Sequence, residues 1–387
     1  MTKSLAYAWA LGFSMFCSVV LSAPRPFHLL LTPRRLHRLK LDAQRQTPRW
    51  MDLAHRLKTV SDSPQRGFEL ALYSVVTGDP KSGKEAVQWA AAHPCDLRQD
   101  ALVRDWLGGS PDAAPACKPE PDIEHARDRL FQAIAKGQED AEAVYKAEWK
   151  PMLAKLEGGA FRDPRALYAA VEFIDAVRIN LHMDPRQDDR TFFGQLPIEF
   201  LLSLKPEQVE HPGWRAHAAA LALVTLDPNL PASQFLQGWA MENRQMVRTG
   251  PGVAYEFLWA DPYLPGIGYQ NLDPWVYDPR GRLFARKNWS AKACWIEISA
   301  KGVEEQNCPA GWRAKPAAFG RLMLIPMDPK CLTVTPALKD HAAIIWHLPP
   351  GQKLRFKING KRDTAHADNI GLWRVVNDAR GKVCLTR

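Results

Sequence analysis

The chain has 387 residues, 46% of them hydrophobic and 24% charged, which excludes wholesale disorder, a collagen-like fibre and a multi-span membrane protein and leaves room for two or three domains. Its net charge of +9 is unevenly placed: residues 263–387 carry 20 lysines and arginines against 10 acids, whereas residues 1–262 carry 31 against 32. All of the excess basicity lies in the last third, where it suits an anionic partner.

Lys3 is followed by an uncharged, mainly apolar run from Leu5 to Leu21 that ends in the small pair Ser22 and Ala23. This pattern reads as a secretory signal over residues 1–23, with cleavage after Ser22 and no stable membrane span afterwards. It implies a periplasmic or secreted protein. Cys17 falls inside the signal, leaving Cys95, Cys117, Cys294, Cys308, Cys331 and Cys384. An even number of cysteines in an exported chain suggests disulfides, and close spacing favours Cys95 with Cys117, Cys294 with Cys308, and then Cys331 with Cys384. No cysteine or histidine cluster has metal-ligand spacing, so neither metal nor cofactor is expected.

From Thr32 to about Leu258 apolar residues recur at intervals of three and four, with helix start and stop signals. Thr32-Pro33 and Pro48 open the first two helices. Residues 64–76 and 81–92 form a helical hairpin, because Gly78 can end one helix while Asp79-Pro80 caps and starts the next. Further helices are predicted at 96–107, 122–136, 138–156, 163–181, 196–204, 213–226 and 231–248. Paired helices joined by short turns indicate an all-α array, either a closed or partial toroid or a superhelical stack. After Asp261 the chain changes to short runs rich in Val, Ile and aromatics, separated by turn residues. Strands are predicted at 282–288, 293–300, 320–326, 331–335, 342–347, 353–359, 371–376 and 382–386, with a hairpin tip near Asn359-Gly360, as an antiparallel sandwich or sheet stack. The domains are therefore a helical part over 24–260 and a basic β part over 261–387.

Ten aromatic residues lie between Tyr255 and Trp295, among them Trp259, Tyr263, Tyr269, Trp275, Tyr277 and Trp289. Prolines and glycines in Asp261–Tyr269 hold some of these rings on a loop. Rings at a domain junction can stack on the apolar faces of sugars, and they can equally serve as the glue of an α/β interface.

The run Ala254–Gly266 (AYEFLWADPYLPG), then Gly281–Ser290 (GRLFARKNWS) and Ala293–Ile296 (ACWI), resembles the start of the sheet domain in heparinase II/III-like proteins. The resemblance implies an α+β protein in two domains, an N-terminal α/α toroid followed by an antiparallel β-sandwich. It further implies that an acidic, uronic-acid polysaccharide is bound at the α/β junction, where the lyases of the family cleave it by β-elimination. Such a lyase needs a base for the proton α to the carboxylate and groups that offset charge on that carboxylate. Asn180 and His182 stand at a helix end, where they could face a cleft or merely cap helix carbonyls; Tyr255, Tyr269 and Arg286 complete the catalytic candidates. Trp259, Tyr263, Trp275, Tyr277, Arg282 and Trp289 are the substrate-binding candidates. Arg282 and Arg286 fall on one face of a strand, where they could clamp carboxylates or lie solvated.

Non-catalytic carbohydrate binding, a cell-envelope scaffold, and a helical scaffold for other proteins are the competing readings. Export argues against a nucleic-acid partner for the basic region. Oligomeric state is left open.

Overall fold

A computed structural model describes residues 29–108, 122–136, 138–243, 250–272, 275–278, 280, 282–286, 288–299 and 302–308, and beyond Cys308 the backbone of seven strands. The signal over 1–23, Cys117 and the side chains of Trp275 and Tyr277 lie outside the described residues.

Thirteen α-helices are described: α1 Pro33–Gln44, α2 Pro48–Thr59, α3 Arg66–Thr77, α4 Pro80–Ala92, α5 Leu97–Leu107, α6 Ile123–Lys136, α7 Gln138–Glu157, α8 Pro164–Asn180, α9 Arg190–Ser203, α10 Pro206–Glu210, α11 Trp214–Leu226, α12 Pro231–Glu242 and α13 Gly252–Trp259. Their starts follow local chemistry. Thr32 accepts from the amide of Arg35, and Asp79 from those of Lys81 and Ser82, each just before a proline at the first helical position. Gly78 ends α3 at a φ of 77°, a left-handed conformation that favours glycine, so α3 and α4 form the expected hairpin. The helix predicted at 196–204 begins earlier, at Arg190, because Asp189 caps it through the amide of Phe192 and Pro197 is tolerated inside.

The central helix is α8, buried on nearly all sides from Leu167 to Val177. It packs on α6 and α11, α6 packs on α5, α5 on α3, and α11 on α13. The last helix returns to the first ones. Trp50 and Phe257 rings lie 5.4 Å apart, Arg38 donates to the carbonyl of Leu258 and to Asp261 at 3.0 Å each, and Arg35 sits 4.3 Å above the Trp259 ring. Leu29, Leu30 and Leu31 are also buried, with the amide of Leu29 donating to Asp105 and the Trp106 indole donating to the Leu29 carbonyl.

The strands are β1 Trp275–Asp278, β2 Arg282–Arg286, β3 Trp295–Ser299, β4 Gly302–Gln306, β5 Leu322–Ile325, β6 Cys331–Val334, β7 Ala342–His347, β8 Lys353–Ile358, β9 Lys361–His366, β10 Leu372–Asn377 and β11 Gly381–Leu385. They form three sheets, ordered β1-β2-β3-β4, β10-β7-β5 and β6-β11-β8-β9. The purely antiparallel expectation needs one correction: β5 pairs with β7 in parallel, Leu322 opposite Ala343, because β6 intervenes in sequence and belongs to another sheet. Ile358 opposes Lys361 in the antiparallel β8–β9 register, and the hairpin tip expected at Asn359-Gly360 lies outside the described residues.

The first sheet is seated on the helices, and the seam is closed. Phe161 meets Phe284 edge-on at 6.3 Å, the Trp295 indole donates to the Leu202 carbonyl at 2.8 Å, and Arg282 donates to the Glu157 carbonyl at 2.9 Å. Arg162 pairs with Glu297 and Lys205 with Glu304 along its margin. Among the described residues, the expected open, ring-lined cleft between helices and sheet is therefore not found. Large aromatic side chains bury most area when two apolar faces meet, and here they serve that end.

Candidate functional site

An open cavity lies instead at one pole of the helical array. A cavity of 430 Å³ is lined by residues at the N-terminal ends of α3, α5, α6, α8 and α11, together with Tyr255 from α13. Its floor is a buried charge network. Arg98 donates through Nε to both Glu172 oxygens at 2.9 and 3.1 Å, through Nη1 to the Tyr255 hydroxyl at 3.3 Å, and through Nη2 to the Tyr168 hydroxyl at 3.3 Å. Arg127 donates to Glu172 at 3.0 Å and pairs with Asp128 at 2.7 Å. Tyr255 in turn donates to Gln65 at 2.6 Å, and the Trp259 indole donates to the Tyr168 hydroxyl at 2.8 Å.

These groups hold one another's protonation. Burial pulls Arg98 toward neutrality, and Glu172 with the two tyrosine hydroxyls more than offsets it. Burial likewise raises the Glu172 carboxyl, but Arg98 and Arg127 bring it below its ordinary value. Burial pushes the Tyr255 phenol up to about 12 and that of Tyr168 well above its usual range. Both tyrosines are hydrogen-bond donors at neutral pH, not bases.

The rim differs in character. Trp214 is half-buried at the start of α11, its ring 5.2 Å from that of Tyr255, and the Arg215 guanidinium lies 4.5 Å above the indole. Arg165, beside it on α8, is exposed, and neither Arg165 nor Arg215 has an ion-pair partner among the described residues. Two rim acids are occupied by helix capping: Asp96 accepts from the Gln99 amide at 3.1 Å and Asp122 from the His125 amide at 2.7 Å. The arrangement offers two guanidinium groups to solvent, one of them stacked on the Trp214 indole, above a floor of tyrosine and arginine donors.

A second cavity of 440 Å³ shares Asp122 and Glu124 with the first and extends past Lys155 and Gly159. Gly159 is at a φ of 102°, and its position touches the Arg282 side chain, so this space ends beside the first sheet.

Of the five catalytic candidates, only Tyr255 reaches the cavity. Asn180 donates to the Ala176 carbonyl of its own helix, and twelve residues of helix separate it from Tyr168, about 18 Å. His182 follows it with a φ of 54°, at the far end of α8. Tyr269 is buried edge-on against Trp289, and burial raises its phenol. Arg286 is fully buried at the seam. The five do not converge.

Among the substrate-binding candidates, Trp259 is fully buried, Arg282 is buried over the Phe161 ring, and Trp289 is half-buried beneath Arg286. Arg282 and Arg286 do share a strand face, but that face meets the helices. Of the candidates whose side chains are described, Tyr263 alone stands out, 78% exposed on the Asp261–Gly268 loop. Trp275 and Tyr277 contribute their backbone to β1.

Cys294 and Cys308 form a disulfide with their Cα atoms 4.4 Å apart. Cys95 is also disulfide-bonded, while its expected partner Cys117 lies outside the described residues. Cys331 stands directly opposite Cys384 in the β6–β11 register.

No motif singled out Arg98, Arg127, Tyr168, Glu172, Trp214 or Arg215. The available signal was Glu172 within Leu167–Val177, an acid in a stretch apolar on every side, which must find a buried cation. Compared with models of known protein families and with curated proteins, the chain matches neither. No helix of the described residues is long and apolar enough to cross a membrane.

Proposed function

We propose that this chain is an exported protein that binds an acidic polysaccharide in the polar cavity of its helical part, and that it is built on a heparinase II/III-like scaffold. The return of α13 to α1 and α2 supports a closed α/α toroid, and the three sheets supply the elements of a sandwich. The binding place moves from the seam to the cavity because the seam is occupied by its own side chains.

The observation that carries this reading is the rim: Trp214 with Arg215 and Arg165 around an open volume of 430 Å³. Two guanidinium groups with no ion-pair partner among the described residues, one of them held over the Trp214 indole, are what a carboxylated sugar needs for bidentate contact with its carboxylate. Binding is favoured over cleavage. Among the predicted bases only Tyr255 borders the cavity, and burial keeps its phenol protonated.

Titration with uronic-acid oligosaccharides of alginate and hyaluronan, followed by tryptophan fluorescence and calorimetry, tests it. Saturable binding is expected that weakens with salt. Arg215→Ala should weaken it about tenfold or more, as the loss of one charge-assisted contact implies. Trp214→Ala should weaken it as well, and Tyr263→Ala should leave it unchanged. No saturable binding to either polymer, or equal loss in the Tyr263 variant, would overturn the assignment.

A further inference from the structure

Six arginines are buried among the described residues, and five of them face a carboxylate: Arg49 with Asp42, Arg56 with Glu69, Arg98 and Arg127 with Glu172, and Arg282 with Glu199 at 3.9 Å. Arg286 does not. It is 0% exposed, yet among the described residues its only side-chain hydrogen bond goes to the Leu204 carbonyl at the end of α9. Its Nε and Nη1 are buried without hydrogen-bond partners among the described residues, and so is Nε1 of Trp289, whose ring lies 4.5 Å beneath the guanidinium.

We propose that Arg286 and Trp289 hold a small monovalent anion, a halide in the first instance, in the seam between β2 and α9. Three donors and no acceptor gather in one stacked pair, a set that a desolvated anion satisfies and a cation or an apolar group does not. Leaving a guanidinium uncompensated in a water-poor seam is strongly unfavourable, and cation–π stacking on one indole offsets only part of that. Burial draws the Arg286 guanidinium down to about 9, and the opposing influence comes from the Tyr269 phenol, with no carboxylate among the described residues contributing. A monatomic anion suits a site formed by two flat side chains already in contact. It would complete the charge balance where the first sheet meets the helices, at a place distinct from the polar cavity and independent of what that cavity binds.

Two measurements on the purified protein test the site. Crystals soaked in sodium bromide should show an anomalous bromine peak within hydrogen-bond reach of Arg286 Nε or Nη1 and of Trp289 Nε1. Replacing gluconate with chloride at constant ionic strength should raise the unfolding midpoint with the logarithm of chloride concentration once the site is filled, by about 3 °C at roughly ten times its dissociation constant. Arg286→Met removes the donors and should abolish the chloride response. Trp289→Phe keeps the ring but not the N–H, and should shift the response to several-fold higher chloride, which preserves the test if the arginine variant does not fold. Absence of the bromine peak, or an equal chloride response in wild type and Trp289→Phe, would overturn the proposal.

Discussion

Arg98 and Glu172, separated by 74 residues of sequence, meet side-on with Arg98 Nε 2.9 Å from one carboxylate oxygen and 3.1 Å from the other, and both side chains are buried. The pair joins α5 to α8 and fixes the two tyrosine hydroxyls that border the cavity. Its value depends on completeness. Glu172→Gln leaves Arg98 and Arg127 facing a neutral amide, and removing one partner of a buried pair costs about 3–5 kcal/mol. The double variant Arg98→Met/Glu172→Leu should lose less than the sum of the single changes, because it removes the orphaned charge with its partner. Denaturant midpoints of the four proteins measure this coupling.

The same network sets an acid limit. Glu172 is held below the ordinary carboxyl value of 4.5 in the folded protein, so the stability it contributes is complete above that value and is lost as the pH falls from 4.5 through the lower folded value. Wild type should therefore lose stability in that window, and Glu172→Gln should lose less over the same interval. Equal acid sensitivity of the two proteins would show that other carboxylates control it.

Tyr255 sets the corresponding alkaline limit. Its phenol titrates near 12 when folded against an ordinary value of 10, so its contribution is present below pH 10 and is lost as the pH rises from 10 toward 12. Tyrosinate absorbance of the native protein should leave Tyr255 and Tyr168 un-ionised until the chain unfolds. Tyr255→Phe removes the hydrogen bonds with Gln65 and Arg98, at a cost of about 1 kcal/mol. If Tyr255 instead ionised at its ordinary pH, the argument against a tyrosine base would fail.

The helices were legible because their punctuation is local: Thr32-Pro33, Pro48, Gly78-Asp79-Pro80 and Pro231 each begin or end an element within one or two residues of the expected place. The strands β1, β4 and β9 were not legible. Gly302–Gln306 carries two adjacent glutamates and Lys361–His366 is mostly polar, so their pairing is imposed by neighbouring strands and not by an alternating apolar pattern of their own. The cavity was illegible for a different reason. Arg98, Tyr168, Trp214 and Tyr255 have no shared spacing and meet because α5, α8, α11 and α13 bring their first turns to one pole. The aromatic cluster was visible, but aromatic content alone does not distinguish a sealed seam from an open one.

Cysteine pairing is testable outright. Cys294 and Cys308 enclose a loop of 14 residues, and Cys294→Ala/Cys308→Ala should cost about 3 kcal/mol if loop-closure entropy dominates. Cys331 and Cys384 oppose each other in adjacent antiparallel strands, which brings their Cα atoms within the range a disulfide spans. Peptide mapping without reduction should recover a Cys331–Cys384 fragment. A free thiol at either position would reject the third bridge.

Gly238 decides how firmly the Tyr263 loop is held. In isolation, glycine to alanine in a helix is favourable by about 1 kcal/mol. Here the loop crosses α12 so closely that a Cβ at 238 would stand 2.0 Å from the Ile267 carbonyl oxygen, while the Ile267 amide donates to the Gln234 carbonyl at 2.9 Å and Gln237 donates to that of Asp261 at 3.0 Å. Because the obstacle is backbone, the loop must shift and those bonds are strained or broken. Overpacking of this kind costs about 1–3 kcal/mol, enough to reverse the helical preference. Gly238→Ala should thus lower stability and speed proteolysis between Asp261 and Gly268. A stabilised variant would mean that the loop does not rest on α12 in solution and that Tyr263 is not displayed from a fixed position.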